Sequence, residues 1–195
     1  MGHVVLVDEL IKEQKLNKVA LFASSEAARG IKKMGMKRPE LNESSVEEFA
    51  SIFDGSKFGK DFDAMQVYGW IKYGGTLWMA NMAKKYPDIK FISMSPGGTR
   101  GTQGMDDLPF IKRIFLKYVG MRVIMPLMGM SHSLANGAKR FVDGISNSKL
   151  KSGVFYASKE NVLTGPVIDQ SSIWSDLNNS SFQQNADEAI HRFIS

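Results

Sequence analysis

Tyr68 and Lys72 are the two side chains whose types and spacing best suit acid–base chemistry. They are four residues apart, so on a helix both lie on one face. An ammonium group beside a phenol favours the phenolate and lowers the pKa of the phenol from about 10 toward neutrality, which makes a general acid and base. A packed phenol beside an amine that reaches solvent is the alternative interpretation. The same spacing in Tyr86 and Lys90 does not make a second pair, because Pro87 prevents a shared helix face.

Two further groups of candidate ligand-binding residues follow predicted strands. The apolar run 18–25 ends in Ser24 and Ser25, and the run 90–95 is followed by the turn 96–102, Pro-Gly-Gly-Thr-Arg-Gly-Thr. Ligands of open α/β sheets bind at the carboxyl ends of the strands. These residues are therefore candidates for a site, although simple hydroxyl groups at a strand end would look the same.

The elements that would position these residues alternate between helices and strands. Hydrophobic periodicity, capping signals and apolar runs predict helices over about 2–15, 45–55, 64–86, 133–145 and 182–194, and strands over 18–25, 90–95 and 153–157. The helix over 64–86 is apolar nearly all round, so we expect it in a core or an interface. Gly74 and Gly75 within it predict a close approach of another backbone. Such alternation predicts an α/β fold with a parallel sheet and helices on both faces.

Composition excludes several classes of protein. The 195 residues contain no Cys, which excludes disulfide scaffolds, thiolate metal sites and cysteine nucleophiles. The three His have no metal-type spacing, so we expect no metal site. The sequence contains no run of 18 apolar residues, which a membrane span would need, and no recognisable signal peptide. We therefore expect a cytoplasmic location.

The net charge of +5 is unevenly distributed. Residues 100–151 have nine Lys and Arg against three Asp, a net charge of +6, and the rest of the chain has a net charge of −1. A nucleic-acid surface would be basic more broadly, so we expect no nucleic-acid partner. The basic window is either a solvated face or a surface that meets an anionic substrate or a membrane.

Taken together, these motifs resemble the short-chain dehydrogenase/reductase family over almost the whole chain. The resemblance consists of Ser-Ser at the end of a buried strand, the Tyr-x-x-x-Lys helix, the next strand with its Pro-Gly turn, and Gly153-Val-Phe-Tyr-Ala157, which is similar to the family's last core strand. The long spacer between Ser25 and Tyr68, with an insertion at 26–63, is similar to the retinol dehydrogenase and protochlorophyllide reductase branches. The resemblance implies one domain over 1–195, the catalytic portion of a Rossmann-like fold that lacks the N-terminal βαβ units.

The family resemblance also implies a role for each residue. Ser25 would hydrogen-bond the substrate oxygen, Tyr68 would exchange the proton, and Lys72 would stabilise the phenolate and bind the nicotinamide ribose. The cofactor-binding turn would comprise Pro96, Gly97, Thr99 and Thr102. The implied activity is hydride transfer between NAD or NADP and a carbonyl/alcohol pair.

The sequence departs from the family at several points. The family's Gly-rich cofactor loop is absent, its helix Asn is missing, and Ile71 stands where Ser is usual. A non-catalytic remnant that keeps the fold and an oligomer interface is therefore the alternative hypothesis. In the family, the helices that correspond to 2–15 and 64–86 commonly form that interface, so we expect a homo-oligomer.

Overall fold

The computed structural model describes residues 1–99 and 125–194, in which a four-stranded sheet has helices on both of its faces. In chain order the strands and the longer helices are α1 (Gly2–Lys12), β1 (Val19–Ala23), α2 (Val46–Phe53), α3 (Ala64–Lys85), β2 (Lys90–Met94), α4 (Leu134–Ser146), β3 (Val154–Ser158), β4 (Val167–Asp169) and α5 (Ser180–His191). A single helical turn, Met125–Leu127, precedes α4. Short 3-10 turns occupy Glu26–Arg29, Lys32–Met34, Gln170–Ser172 and Ser175–Asn178. The predicted α/β class is confirmed.

The sheet is parallel except at one edge. Its strand order is β1-β2-β3-β4, with β1, β2 and β3 parallel and β4 antiparallel to β3. The sequence did not predict β4, because three residues are too short to display a period. The apolar run 18–25 has no alternation and so predicts a strand covered on both faces, but β1 lies at the other edge of this sheet and is only half-buried.

The alternation of side chains along the strands separates two apolar layers. On one face, Phe155 and Ala157 of β3 pack with Tyr73 and Leu77 of α3 and with Ala186 of α5. On the other face, Ile92, Met94 and Tyr156 pack with Phe141 of α4. Val4 of α1 packs beside α3 and α5, against Trp78 and Ile190.

α2 begins where its capping signal predicts, but the cap is built differently. The Ser45 hydroxyl accepts a hydrogen bond from the Glu48 N–H at 3.1 Å. The Glu48 carboxylate accepts from the backbone N–H groups of residues 42, 43 and 44 and pairs with Lys57 at 2.7 Å. Although burial opposes the charge, these donors lower the pKa of Glu48 to about 2.

Two helix ends differ from their predicted positions. α1 was predicted to reach residue 15 but ends at Lys12, because Gln14 adopts a left-handed conformation with φ of 55°. The last helix was predicted over 182–194, but it spans Ser180–His191. Its N-cap is Asn179, whose side-chain oxygen accepts from the N–H groups of Ser181 and Phe182.

α3 is less buried than its composition predicts, and its glycines face side chains. Met65 and Ile71 are exposed. A Cβ at Gly74 would lie 2.6 Å from the Phe53 ring, and one at Gly75 would lie 2.6 Å from the Phe22 ring. The expected approach of another backbone at these two positions is therefore wrong, because aromatic rings fill the space.

Candidate functional site

Ser24 and Ser25 follow β1 directly and have different surroundings. Ser24 is buried, and its hydroxyl shares a 2.8 Å hydrogen bond with the hydroxyl of Thr76 on α3. The Ser25 oxygen caps the next turn by accepting from the N–H of Ala27 at 3.2 Å. Within the described residues the Ser25 O–H has no acceptor, so its proton remains available to a ligand.

Tyr68 and Lys72 lie on one face of α3, as the spacing predicts. The Lys72 ammonium lies 5.5 Å from the centre of the Tyr68 ring and 5.0 Å from that of Phe22. It donates to the carbonyl of Ala23, the last residue of β1, at 2.7 Å. Burial lowers the pKa of Lys72. Tyr68 is 41% exposed, and its hydroxyl makes no hydrogen bond within the described part of the chain.

A close backbone contact connects the Tyr68 helix with the turn that follows Ser25. A Cβ at Gly69 would lie 2.7 Å from the carbonyl oxygen of Ala27, so only glycine allows α3 to come this near. One turn earlier in chain order, the side-chain amide of Gln66 makes two hydrogen bonds with the backbone of Lys37, at 3.0 and 2.9 Å. The N-terminal half of α3 is thereby fixed to the segment after Ser25.

Most backbone groups of the turn after β2 are already hydrogen-bonded to other parts of the protein. The N–H of Gly97 donates to the Ser95 hydroxyl and that of Gly98 to the carbonyl of Leu163. His132 binds the carbonyl of Pro96 through its ring, at 2.7 Å, and that of Gly98 through its N–H. Thr99 donates weakly back into the same turn, at 3.3 to 3.4 Å. Thr102, the last residue predicted for this turn, lies outside the described residues.

A buried ionic network, which was not predicted from the sequence, lies at the same end of the sheet. The Glu26 carboxylate accepts from the Ser95 hydroxyl, from the N–H of Ser158 at 3.2 Å and from Arg140 at 3.4 Å. Arg140 also donates to the hydroxyl of Ser158 and the carbonyl of Gly165. The one available signal was the position of Glu26, directly after the strand-end serines.

The network connects the ends of three strands. Glu26 follows β1, Ser95 follows β2, and Ser158 ends β3. Burial lowers the pKa of Arg140, and the adjacent Glu26 carboxylate counters that effect. The network holds these three strand ends together through two charged groups that are almost completely buried.

A nicotinamide cofactor fits some of these residues and not others. Lys72 has three donors, of which the contact with Ala23 uses one, so two remain for ribose hydroxyls. The N–H groups of Gly97 and Gly98 are already bonded and offer nothing to a carboxamide. A pocket of about 320 Å³ opens beside Lys72, lined mostly by apolar residues and by neither Ser25 nor Tyr68.

No protein-family model matches the chain, and no curated protein matches it. Among residues 1–99 and 125–194, no helix is long and apolar enough to cross a bilayer, and no three His, Asp or Glu side chains are grouped as metal ligands.

Proposed function

We propose that the chain is an oxidoreductase of the short-chain dehydrogenase/reductase type. It would transfer hydride between NAD or NADP and a carbonyl/alcohol substrate, with the cytoplasm as its location. The observation that most favours this proposal is the position of the Lys72 ammonium, 5.5 Å from the Tyr68 ring and 2.7 Å from the carbonyl that precedes Ser24 and Ser25. An acid–base pair and a free hydroxyl donor thus belong to two elements that are packed together.

Each residue has a distinct task in this proposal. The exposed Tyr68 hydroxyl exchanges a proton with the substrate oxygen, and Lys72 stabilises the phenolate that results. Ser25 donates its free proton to the same substrate oxygen and holds it near Tyr68. Lys72 binds the ribose hydroxyls of the cofactor, which supplies the hydride. The Thr99 hydroxyl donates weakly within the turn after β2, so its oxygen remains as an acceptor for the carboxamide N–H groups of the nicotinamide.

The test combines cofactor titration with a matched pair of tyrosine variants. NADPH and NADH are titrated separately against the full chain by tryptophan fluorescence, and turnover is followed with an aromatic aldehyde such as 4-nitrobenzaldehyde. Tyr68→Phe should lower turnover about 100-fold or more, because it removes the proton donor, and should largely spare cofactor affinity. Tyr86→Phe removes a half-exposed phenol at the far end of α3 and should leave turnover unchanged.

Two results would refute the proposal. One is the absence of saturable binding of either cofactor at millimolar concentration. The other is turnover by Tyr68→Phe at the rate of the unaltered chain.

Exposed apolar side chains on two helices favour homo-oligomerisation as a second function, with or without catalysis. Val5 and Leu6 of α1 and Met65 and Ile71 of α3 are exposed. Apolar surface of this kind is covered in many protein–protein interfaces. Light scattering after size-exclusion chromatography measures the mass directly, and a monomer at micromolar concentration would remove this candidate.

A further inference from the structure

Residues 29–38, called here the basic hairpin, concentrate positive charge near Glu160, which follows the end of β3. The segment contains Arg29, Lys32, Lys33, Lys37 and Arg38 and no acidic residue. Side chains of like charge this close repel one another unless an anion is near. The segment is distinct from the basic window 100–151.

The backbone of the basic hairpin is held in place at several points, so its course is set before any ligand arrives. Ile31 and Met36 pair through two backbone hydrogen bonds, of 3.1 and 3.2 Å. The Arg29 guanidinium donates to the carbonyls of Ser158 and Lys159 at the end of β3. Gln66 holds the backbone of Lys37 from the other side.

A pocket of about 560 Å³ opens between the basic hairpin and residues 160, 161 and 173. Four cationic side chains line it, against the two carboxylates Glu40 and Glu160. The contacts to Glu160 are long, 3.6 Å from Lys32 and 3.9 Å from Arg38. Lys37 pairs with no carboxylate among the described residues, so the lining has an excess of positive charge.

Two of the cations that line the pocket have guanidinium groups held in place by the fold. Arg29 is almost completely buried and donates to the carbonyls of Ser158 and Lys159, so its positive charge is fixed behind the lining. Burial lowers the pKa of Arg29. The Arg38 guanidinium lies over the Trp174 ring, 5.1 Å from its centre, which fixes a planar donor at the pocket wall.

We propose that this pocket binds a small organic anion, a carboxylate or a phosphate ester. Lys37 and Arg38 hold its acidic group, and its apolar part contacts Met36 and Ile173, which also line the pocket. The two ligand classes present the same chemistry to these donors. The proposal stands whether or not the chain transfers a hydride.

The test uses three probes that share a phenyl ring. Phenyl phosphate, phenylacetate and benzyl alcohol are titrated into the full chain by calorimetry at about 0.15 M ionic strength, where exposed charges more than about 8 Å apart are largely screened. The two anions should bind saturably and the neutral alcohol should not, and the tighter anion identifies the ligand class. Lys37→Gln and Arg38→Gln should each weaken anion binding about fivefold.

Lys33→Gln is the matched control. It removes the same charge from the same hairpin, but Lys33 is exposed and does not line the pocket. Its affinity for the anions should stay within about twofold of the unaltered chain, because exposed charges at a distance contribute little. Equal weakening by Lys33→Gln, equal binding of benzyl alcohol, or no saturable binding of either anion would overturn the proposal. Unchanged thermal unfolding of each variant confirms that the fold is intact.

Discussion

The adjacent hydroxyl groups of Ser24 and Ser25 differ in what they are free to do. The Ser24 hydroxyl is already hydrogen-bonded to that of Thr76, 52 residues away in the chain, inside the contact between β1 and α3. Ser25 uses only a lone pair, as a cap, and retains its proton. A buried hydroxyl pair stabilises the fold, whereas a half-buried donor at a strand end can serve a ligand.

Alanine at each serine in turn separates these two roles. Ser24→Ala should lower the free energy of unfolding by about 1 to 2 kcal/mol, because the buried Thr76 hydroxyl loses its partner. Ser25→Ala should lower stability by no more than about 1 kcal/mol, the loss of a cap, and lower turnover about 100-fold by removing a donor to the substrate oxygen. Urea unfolding and turnover with the aldehyde are measured on both variants. If Ser24→Ala loses turnover and Ser25→Ala does not, the hydroxyl that serves the substrate belongs to Ser24, and the assignment to Ser25 is wrong.

At the scale of elements, local signals in the sequence predicted helices and parallel strands well. Long periodic segments such as α3 and capping residues such as Ser45 act through neighbours three or four positions away. β4 and the half-buried state of β1 depend on pairing partners elsewhere in the chain. The Asn179 cap depends on competition between adjacent capping residues. The hydrogen bond that distinguishes Ser24 from Ser25 depends on how α3 packs against β1. No local pattern in the sequence encodes that packing.

Gly69 is the element-scale feature on which the candidate site depends. Gly69→Ala places a methyl group 2.7 Å from the carbonyl oxygen of Ala27, against backbone that cannot rotate away. The variant should lose about 1 to 3 kcal/mol of stability. Turnover should also fall, because α3 must move away from the turn that holds Ser25.

Gly75→Ala is the matched control in the same helix. Its methyl group would meet the far end of the half-buried Phe22 side chain, which can rotate. Stability and turnover should therefore change less than in Gly69→Ala. Equal losses in both variants would mean that helix packing in general, and not the contact with Ala27, sets the geometry.

At the scale of the whole molecule, the Glu26 network joins the carboxyl ends of β1, β2 and β3. Its members come from positions 26, 95, 140 and 158, so no window of sequence contains it. Glu26 and Arg140 are both almost completely buried, and each is the charge partner of the other. Loss of one partner leaves the other charge buried and unpaired, which is far less favourable than loss of an exposed pair.

Glu26→Gln should lower the free energy of unfolding by about 3 kcal/mol, because Arg140 remains buried without a counter-charge. Lys139→Gln is the matched control, since it breaks the exposed pair with Asp143 on α4 and should lose less than about 1 kcal/mol. Both variants are measured by urea unfolding at neutral pH. An unchanged dependence of the free energy of unfolding on urea concentration is the sign that the transition stays cooperative. Replacing the pair together, in Glu26→Gln with Arg140→Met, should recover part of the loss, because the charge directly paired with Glu26 is removed with it. If the double variant is less stable than Glu26→Gln alone, Arg140 stabilises the strand ends through Ser158 and Gly165 independently of Glu26.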